Sequence, residues 1–209
     1  AAKKNNMPDG IFSNLNSKDI SVGVQLVNHP NVKAVGFTGS LKGGRSIYDL
    51  ASKRDTPIPV FAEMGSTNPI IIMPAKIKND YEDLAVKFAK SITVGSGQFC
   101  TNPGMIISIK GDEMNRFIEC LSLELKKIEP SCMLHPNILD AYNSNANQTI
   151  SNKDVEIYDQ SSLINKENYP KHILSTVNSN VFIQNKNLHI LIIFMITQKL
   201  IFLITQKHS

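Results

Sequence analysis

Apolar residues recur at helical spacing from Ser17 to Asn28 (SKDISVGVQLVN), behind a serine able to cap the first turn, and this pattern predicts a helix. The run from Val32 to Phe37 (VKAVGF) predicts a short strand. It ends at Thr38-Gly39-Ser40, after which Leu41 to Arg54 returns to helical periodicity with Ile47, Leu50 and Ala51 facing inward. Two compact apolar runs follow, Ile58 to Glu63 and Pro69 to Met73; the second has the unbroken isoleucine content of a strand buried in a parallel sheet. Another amphipathic helix is expected over Tyr81 to Val94, with Leu84, Phe88 and Ile92 on one face and Asp80 as N-cap. Beyond the glycine-broken loop GSGQFCTNPG, Met105 to Ile109 reads as a strand and Glu113 to Ile128 as a helix. Strands alternating with helices imply an α/β fold with a largely parallel sheet. From about Asn143 to Asn187 the chain is rich in Asn, Ser and Lys and its periodicity fades, so the pattern assigns no elements there.

The pattern changes again from Leu188 to Gln206, which is mostly Ile, Leu and Phe and repeats itself as FMITQKLI and FLITQKHS. Such a stretch is barely long enough to span a bilayer, and Lys199 interrupts it, so a membrane-tethered protein ranks last among the readings and no membrane partner is expected. High β propensity, low charge and the lack of proline make the segment an aggregation hazard.

Composition narrows the class. With 209 residues, 42% hydrophobic and 19% charged, the chain can fill a sizeable core of one domain or two small ones. Its net charge of +4 is spread along the chain without a basic stripe, which argues against a nucleic-acid partner. Cys100, Cys120 and Cys132 are widely spaced with no CxxC pair, which argues against a disulfide framework and a zinc site and favours a reducing, cytoplasmic compartment. The N-terminus (AAKKNNMPDG) has neither an initiator Met nor an apolar signal region, so the chain is expected to begin within a longer protein.

Three motifs could carry chemistry. In the first, Phe37-Thr-Gly-Ser-Leu-Lys-Gly-Gly44, glycines between a strand and a helix let the backbone approach a phosphate at the helix N-terminus, although a connecting turn would look the same. The stretch Gly39 to Ser46 nearly spells the P-loop G-x-x-x-x-G-K-S/T, but Arg45 stands where the compact lysine belongs, and no later strand ends in a magnesium-binding Asp. In the second, Ala62-Glu63-Met64-Gly65-Ser66-Thr67-Asn68-Pro69, a carboxylate at the end of an apolar strand is expected to be partly desolvated and so raised toward a useful base; a strand-end Glu facing water is the plainer reading. In the third, Gly95-Ser-Gly-Gln-Phe-Cys100-Thr-Asn-Pro-Gly104, a glycine-bracketed loop can hold a thiol at the surface of a cleft, where a neighbouring base or N–H donors must activate it. Cys120 falls in a helical pattern as an inert core residue, and Cys132 has no chemical neighbourhood in the sequence.

In this order, FTGS, AEMGSTNP and GQFCTNPG resemble the aldehyde dehydrogenase superfamily, and the wording PIPVFAEMGSTNP with GQFCTNPG looks most like its 2,5-dioxovalerate (α-ketoglutarate semialdehyde) dehydrogenase subclass. The likeness runs from about residue 7 to residue 187. It implies an aldehyde-dehydrogenase-like α/β fold: residues 1–63 as the C-terminal part of a Rossmann-type NAD(P)-binding domain, 64–187 as part of the α/β catalytic (thiol) domain, and 188–209 as an aberrant apolar tail.

By the same resemblance Cys100 is the nucleophile and Glu63 the general base. Thr38, Gly39, Ser40 and Gly44 are implied at the cofactor's pyrophosphate, and Met64 and Gly65 beside the nicotinamide. The implied reaction oxidises a small aldehyde with NAD or NADP through a thiohemiacetal and a thioester, with the Cys100 backbone N–H as one oxyanion donor.

The family's oxyanion-hole Asn and its adenine-ribose residues would lie upstream of residue 1. Its nicotinamide-ribose segment would follow Asn187-Leu188-His189, where this sequence turns into the apolar tail. Intact members are homo-oligomers, and their dimerising hairpin has no counterpart here. The alternative reading is therefore an inactive, truncated remnant.

Overall fold

The computed structural model describes residues 3–160, 166–186, 188 and 201–206. Two compact units emerge, Ala1–Glu63 and Met64–Ser209.

In the first unit, helix α1 (Ile20–Asn28) starts later than its periodicity predicts. Asp19 rather than Ser17 caps it: the Asp19 carboxylate accepts from the Ser21 N–H at 2.8 Å, while Ser17 Oγ accepts from the Asp19 N–H one step earlier. That backbone bond holds the Asp19 carboxyl below its ordinary value. Strand β1 (Val35–Gly39) runs into helix α2 (Leu41–Ser52), which buries Ala51 and Gly44 and half-buries Ile47 and Leu50. Strand β2 (Val60–Met64) pairs with β1 in a two-stranded sheet. Arg54 ties the unit together, its guanidinium donating to the carbonyls of Val27, Val32 and His29 at 2.8, 3.1 and 3.1 Å.

The second unit is built on a five-stranded sheet in the order β3-β4-β7-β6-β5, formed by β3 (Pro69–Ile72), β4 (Met105–Ile109), β5 (Val155–Gln160), β6 (Ile173–Asn178) and β7 (Ile201–Gln206). The first four in that order are parallel, and β5 closes the edge antiparallel to β6. Helices α3 (Pro74–Thr93) and α4 (Asp112–Lys127) cover one face, where Ile72, Ile106 and Leu174 of the sheet meet Ile77, Ala85, Ala89 and Ile92 of α3 and Phe117, Leu121 and Leu125 of α4. Phe88 and Phe117 meet edge to face at 5.8 Å; burying a side chain of this size contributes about 2–3 kcal/mol. On the opposite face Met105, Ile173 and Val177 pack with Tyr142 and Ala146 of helix α5 (Pro136–Ile150). The short helix α6 (Ser179–Gln184) follows β6.

Three sequence expectations change here. The run Pro69 to Met73, expected as a strand buried in the sheet, forms the edge strand β3, whose outer face leaves Ile71 69% exposed. The helix expected from Tyr81 begins at Pro74, and Asp80, expected as its N-cap, instead sits at a kink with φ −141° and ψ 25°. Proline at the first helical position starts the helix early because its missing N–H has no partner to lose there. The stretch from Asn143 onward, where periodicity faded, supplies the second half of α5, then β5, β6 and α6.

Of the apolar C-terminal segment, residues 189–200 lie outside the described residues, and so does the expected bilayer span through Lys199. Among the described residues no helix is long and apolar enough to cross a membrane. The stretch Ile201–Gln206, part of the segment expected to favour aggregation, is hydrogen-bonded on both edges, between β4 and β6.

Candidate functional site

The sequence-selected residues divide between the two units. In the first, β1 delivers Thr38 and Gly39 to the N-terminus of α2, where Ser40 is the N-cap. Its hydroxyl accepts from the Gly43 N–H at 3.1 Å, and its carbonyl accepts from the Gly44 N–H at 2.9 Å. Accepting through oxygen leaves the Ser40 hydroxyl proton to donate outward. Thr38 and Ser40 are exposed, while Gly44 is buried against the unit. A Cβ at Gly39 would lie 2.7 Å from the tip of the Phe37 ring, so a side chain there would require that ring to turn aside. Orphan N–H groups and a helix dipole at such a terminus can hold an anion.

Arg45, the residue that spoils the P-loop pattern, is engaged along the helix surface, pairing with Asp49 at 3.1 Å and lying over the Tyr48 ring at 5.0 Å. Glu63, expected to be partly desolvated, is instead exposed near the end of β2, because its side chain falls on the outward face of an alternating strand.

In the second unit Met64 leads into a turn in which Gly65 has φ +77°, a conformation that side chains disfavour. Residues Ser66, Thr67 and Asn68 of this turn lie against the loop bearing Cys100. Ser66 Oγ donates to the Cys100 carbonyl at 2.6 Å, Asn68 Nδ2 donates to the same oxygen at 2.6 Å and to the Asn102 carbonyl at 2.9 Å, and the Gly104 N–H donates to the Thr67 carbonyl at 2.9 Å. The loop is also held from behind. Asn102, 4% exposed, donates through Nδ2 to the carbonyls of Ile92 and Val94 at the end of α3, and buried Ser96 donates to the Ser131 carbonyl at 2.7 Å. Cys100 itself is exposed on this braced loop, an arrangement that presents a thiol to a small electrophile.

Ser66, Asn68, Ser96 and Asn102 were not singled out from sequence. Asn68 and Asn102, each directly before a proline, carried a local turn signal, and that signal concerned the turn rather than the partners of the amides. The other cysteines differ from Cys100. Cys120 packs against the core of α3 and α4, and desolvation, with Glu82, Glu119 and Glu124 nearby, pushes its thiol upward. Cys132 is exposed, with its sulfur beside the Met133 carbonyl at 3.4 Å and the Asn168 amide at 3.6 Å.

Comparison with known proteins shows the family of the chain. The sequence model of the aldehyde dehydrogenase family matches residues 1–138. The chain is 44% identical over 142 residues to alpha-ketoglutaric semialdehyde dehydrogenase 2 of Azospirillum brasilense, an alignment covering 68% of this chain and 27% of that protein. It is 41% identical over 136 residues to the alpha-ketoglutaric semialdehyde dehydrogenase of Acinetobacter baylyi, covering 65% and 26%. The chain thus spans about a quarter of the length of these curated relatives. Among solved structures, an NAD-dependent benzaldehyde dehydrogenase from Corynebacterium glutamicum shares the fold with a TM-score of 0.76 at 17% identity, over 97% of this chain and 43% of that one. An aldehyde dehydrogenase from Bartonella henselae does so with a TM-score of 0.74 at 18% identity, over 96% and 42%.

Proposed function

Because the chain belongs to the aldehyde dehydrogenase family, we propose that it forms part of an enzyme that oxidises a small carboxylated aldehyde, 2,5-dioxovalerate (α-ketoglutarate semialdehyde) in the first instance, to the acid. The observation that carries this reading is the exposed Cys100 on a loop whose backbone is fixed by Ser66, Asn68 and Asn102. A nucleophile must be both reachable and held, and most single cysteines are neither.

On this reading residues 1–63 are the C-terminal part of a Rossmann-type cofactor domain and residues 64–187 are part of the thiol domain. The donors at the start of α2, with the Ser40 hydroxyl among them, suit a diphosphate. Thr38, Gly39 and Gly44 shape that turn, and Met64 and Gly65 form the surface for the nicotinamide ring. NAD or NADP, when bound, supplies the hydride acceptor.

The Cys100 thiolate attacks the aldehyde carbon to give a thiohemiacetal oxyanion, toward which the Cys100 backbone N–H donates. Loss of the hydride leaves a thioester on Cys100. Glu63 then takes a proton from water, the hydroxide adds to the thioester carbon, and the acid leaves as the thiol re-forms. An exposed Glu63 suits this last step, which requires contact with water.

The test is to incubate the purified chain with the semialdehyde and NAD or NADP while following the absorbance of the reduced nicotinamide, with Cys100→Ala and Glu63→Gln in parallel. Cofactor reduction that disappears with Cys100→Ala, and that stalls at a thioester detectable by mass in Glu63→Gln, supports the assignment. A folded chain that neither reduces cofactor nor forms a Cys100 adduct is the inactive remnant instead.

A further inference from the structure

We propose that Asn68, assisted by Ser66, is a positioning residue that holds Cys100 for nucleophilic attack by clamping its carbonyl oxygen; this rests on the reading of Cys100 as the nucleophile. A cysteine on an exposed loop interrupted by Gly95, Gly97 and Gly104 would otherwise sample many backbone states, and each costs rate when only one points the thiol correctly.

Both lone-pair regions of the Cys100 carbonyl are taken, one by Ser66 Oγ and one by Asn68 Nδ2, each at 2.6 Å. The second N–H of the Asn68 amide goes to the Asn102 carbonyl at 2.9 Å. Asn102 spends both of its own amide protons on the carbonyls of Ile92 and Val94, at 3.1 and 2.8 Å. A chain of fully used amides therefore runs from the end of α3 to the Cys100 backbone.

The position demands asparagine on two counts. Its φ is +45°, in the left-handed region that only Gly, Asn and Asp enter at low cost. Of these three, only Asn also supplies two donors. Fixing the carbonyl pins the peptide plane that follows Cys100, which narrows ψ and the directions open to the Cα–Cβ bond.

The experiment is site-resolved alkylation of the full chain with iodoacetamide, without substrate or cofactor, taking the ratio of the Cys100 rate to that of a cysteine peptide added to the same reaction, because Cys132 adjoins Ser131, which is bonded to the Cys100 loop. Asn68→Gly keeps the positive φ and removes both donors; Asn68→Asp keeps the φ tolerance and the size but turns a carboxylate toward two carbonyl oxygens. The ratio should fall about fivefold to tenfold in Asn68→Gly and further in Asn68→Asp. Ser66→Ala should lower it about threefold and Ser66→Thr, which retains the hydroxyl, should restore it.

A ratio unchanged in folded Asn68→Gly overturns the proposal, as does a Ser66→Thr value no closer to the unaltered chain than Ser66→Ala. If an Asn68 variant fails to fold, the Ser66 pair decides by the same ratio. The readout needs no turnover, so its failure is separable from failure of the catalytic assignment, which is read by cofactor reduction in the unaltered chain.

Discussion

The side chain of Asn102 donates to the carbonyl of Ile92 at 3.1 Å, so the last turn of α3 and the loop of Cys100 are joined through a buried amide. Removing it in Asn102→Ala leaves the Ile92 and Val94 carbonyls without this partner. The expected cost is about 1–3 kcal/mol, seen as a lower urea midpoint with an unchanged slope. An unshifted midpoint would show that water replaces the amide without loss.

Ser40 caps α2 through its hydroxyl. Ser40→Ala should cost about 1 kcal/mol and speed amide exchange at Gly43, whereas Ser40→Gly should cost only a few tenths. If the start of α2 holds a diphosphate, Ser40→Ala also weakens binding of the dinucleotide, measured by calorimetry, by more than the cap alone explains. Equal binding by both chains argues against a cofactor contact at Ser40.

Burial pushes the Tyr142 phenol far above its ordinary value, with its hydroxyl donating to the Lys171 carbonyl at 2.5 Å. The native state therefore keeps the proton after the unfolded chain has released it. Stability from this group is full below the unfolded pKa, about 10, and is lost as pH rises through the window up to the raised native value. Tyr142→Phe should be less stable than the parent near neutrality, because the carbonyl loses its donor, and should show a shallower decline in alkaline solution. Parallel pH profiles for the two chains would contradict this.

Strand β7 lies between β4 and β6, with Leu203 opposite both Ile106 and Thr176. Proline in an interior strand removes a ladder donor and fixes φ, so Leu203→Pro should abolish cooperative unfolding of the second unit while leaving the helix signal of the first. If unfolding stays cooperative with the same midpoint, the sheet does not depend on β7.

Much of the fold was legible locally. The apolar run at Met105 announced β4 because both faces of an interior parallel strand are buried, so the sequence there is continuously apolar; the run at Pro69 announced β3 by its isoleucine content alone, since β3 is the edge strand and Ile71 is 69% exposed. α4 was legible because the apolar face of a surface helix repeats every three to four residues. By contrast, β5 and β6 were hidden among Asn, Ser and Lys. Their strand state is fixed by pairing across the sheet, with Val155 opposite Val177, which no window of neighbouring residues contains.

The candidate site divides in the same way. The sequence alone determined the chemistry at hand: a thiol in a glycine-bracketed loop, a carboxylate ending a strand, and a serine where a strand meets a helix. Residue type and short-range spacing suffice for that. The tertiary structure decided that Glu63 stands in solvent and that the Cys100 loop is braced by Asn68 and Asn102. Asn68 reaches Cys100 across a separation of 32 residues. Such a hydrogen bond exists only after β3 and β4 have paired in register, bringing the turn before one strand against the loop before the other.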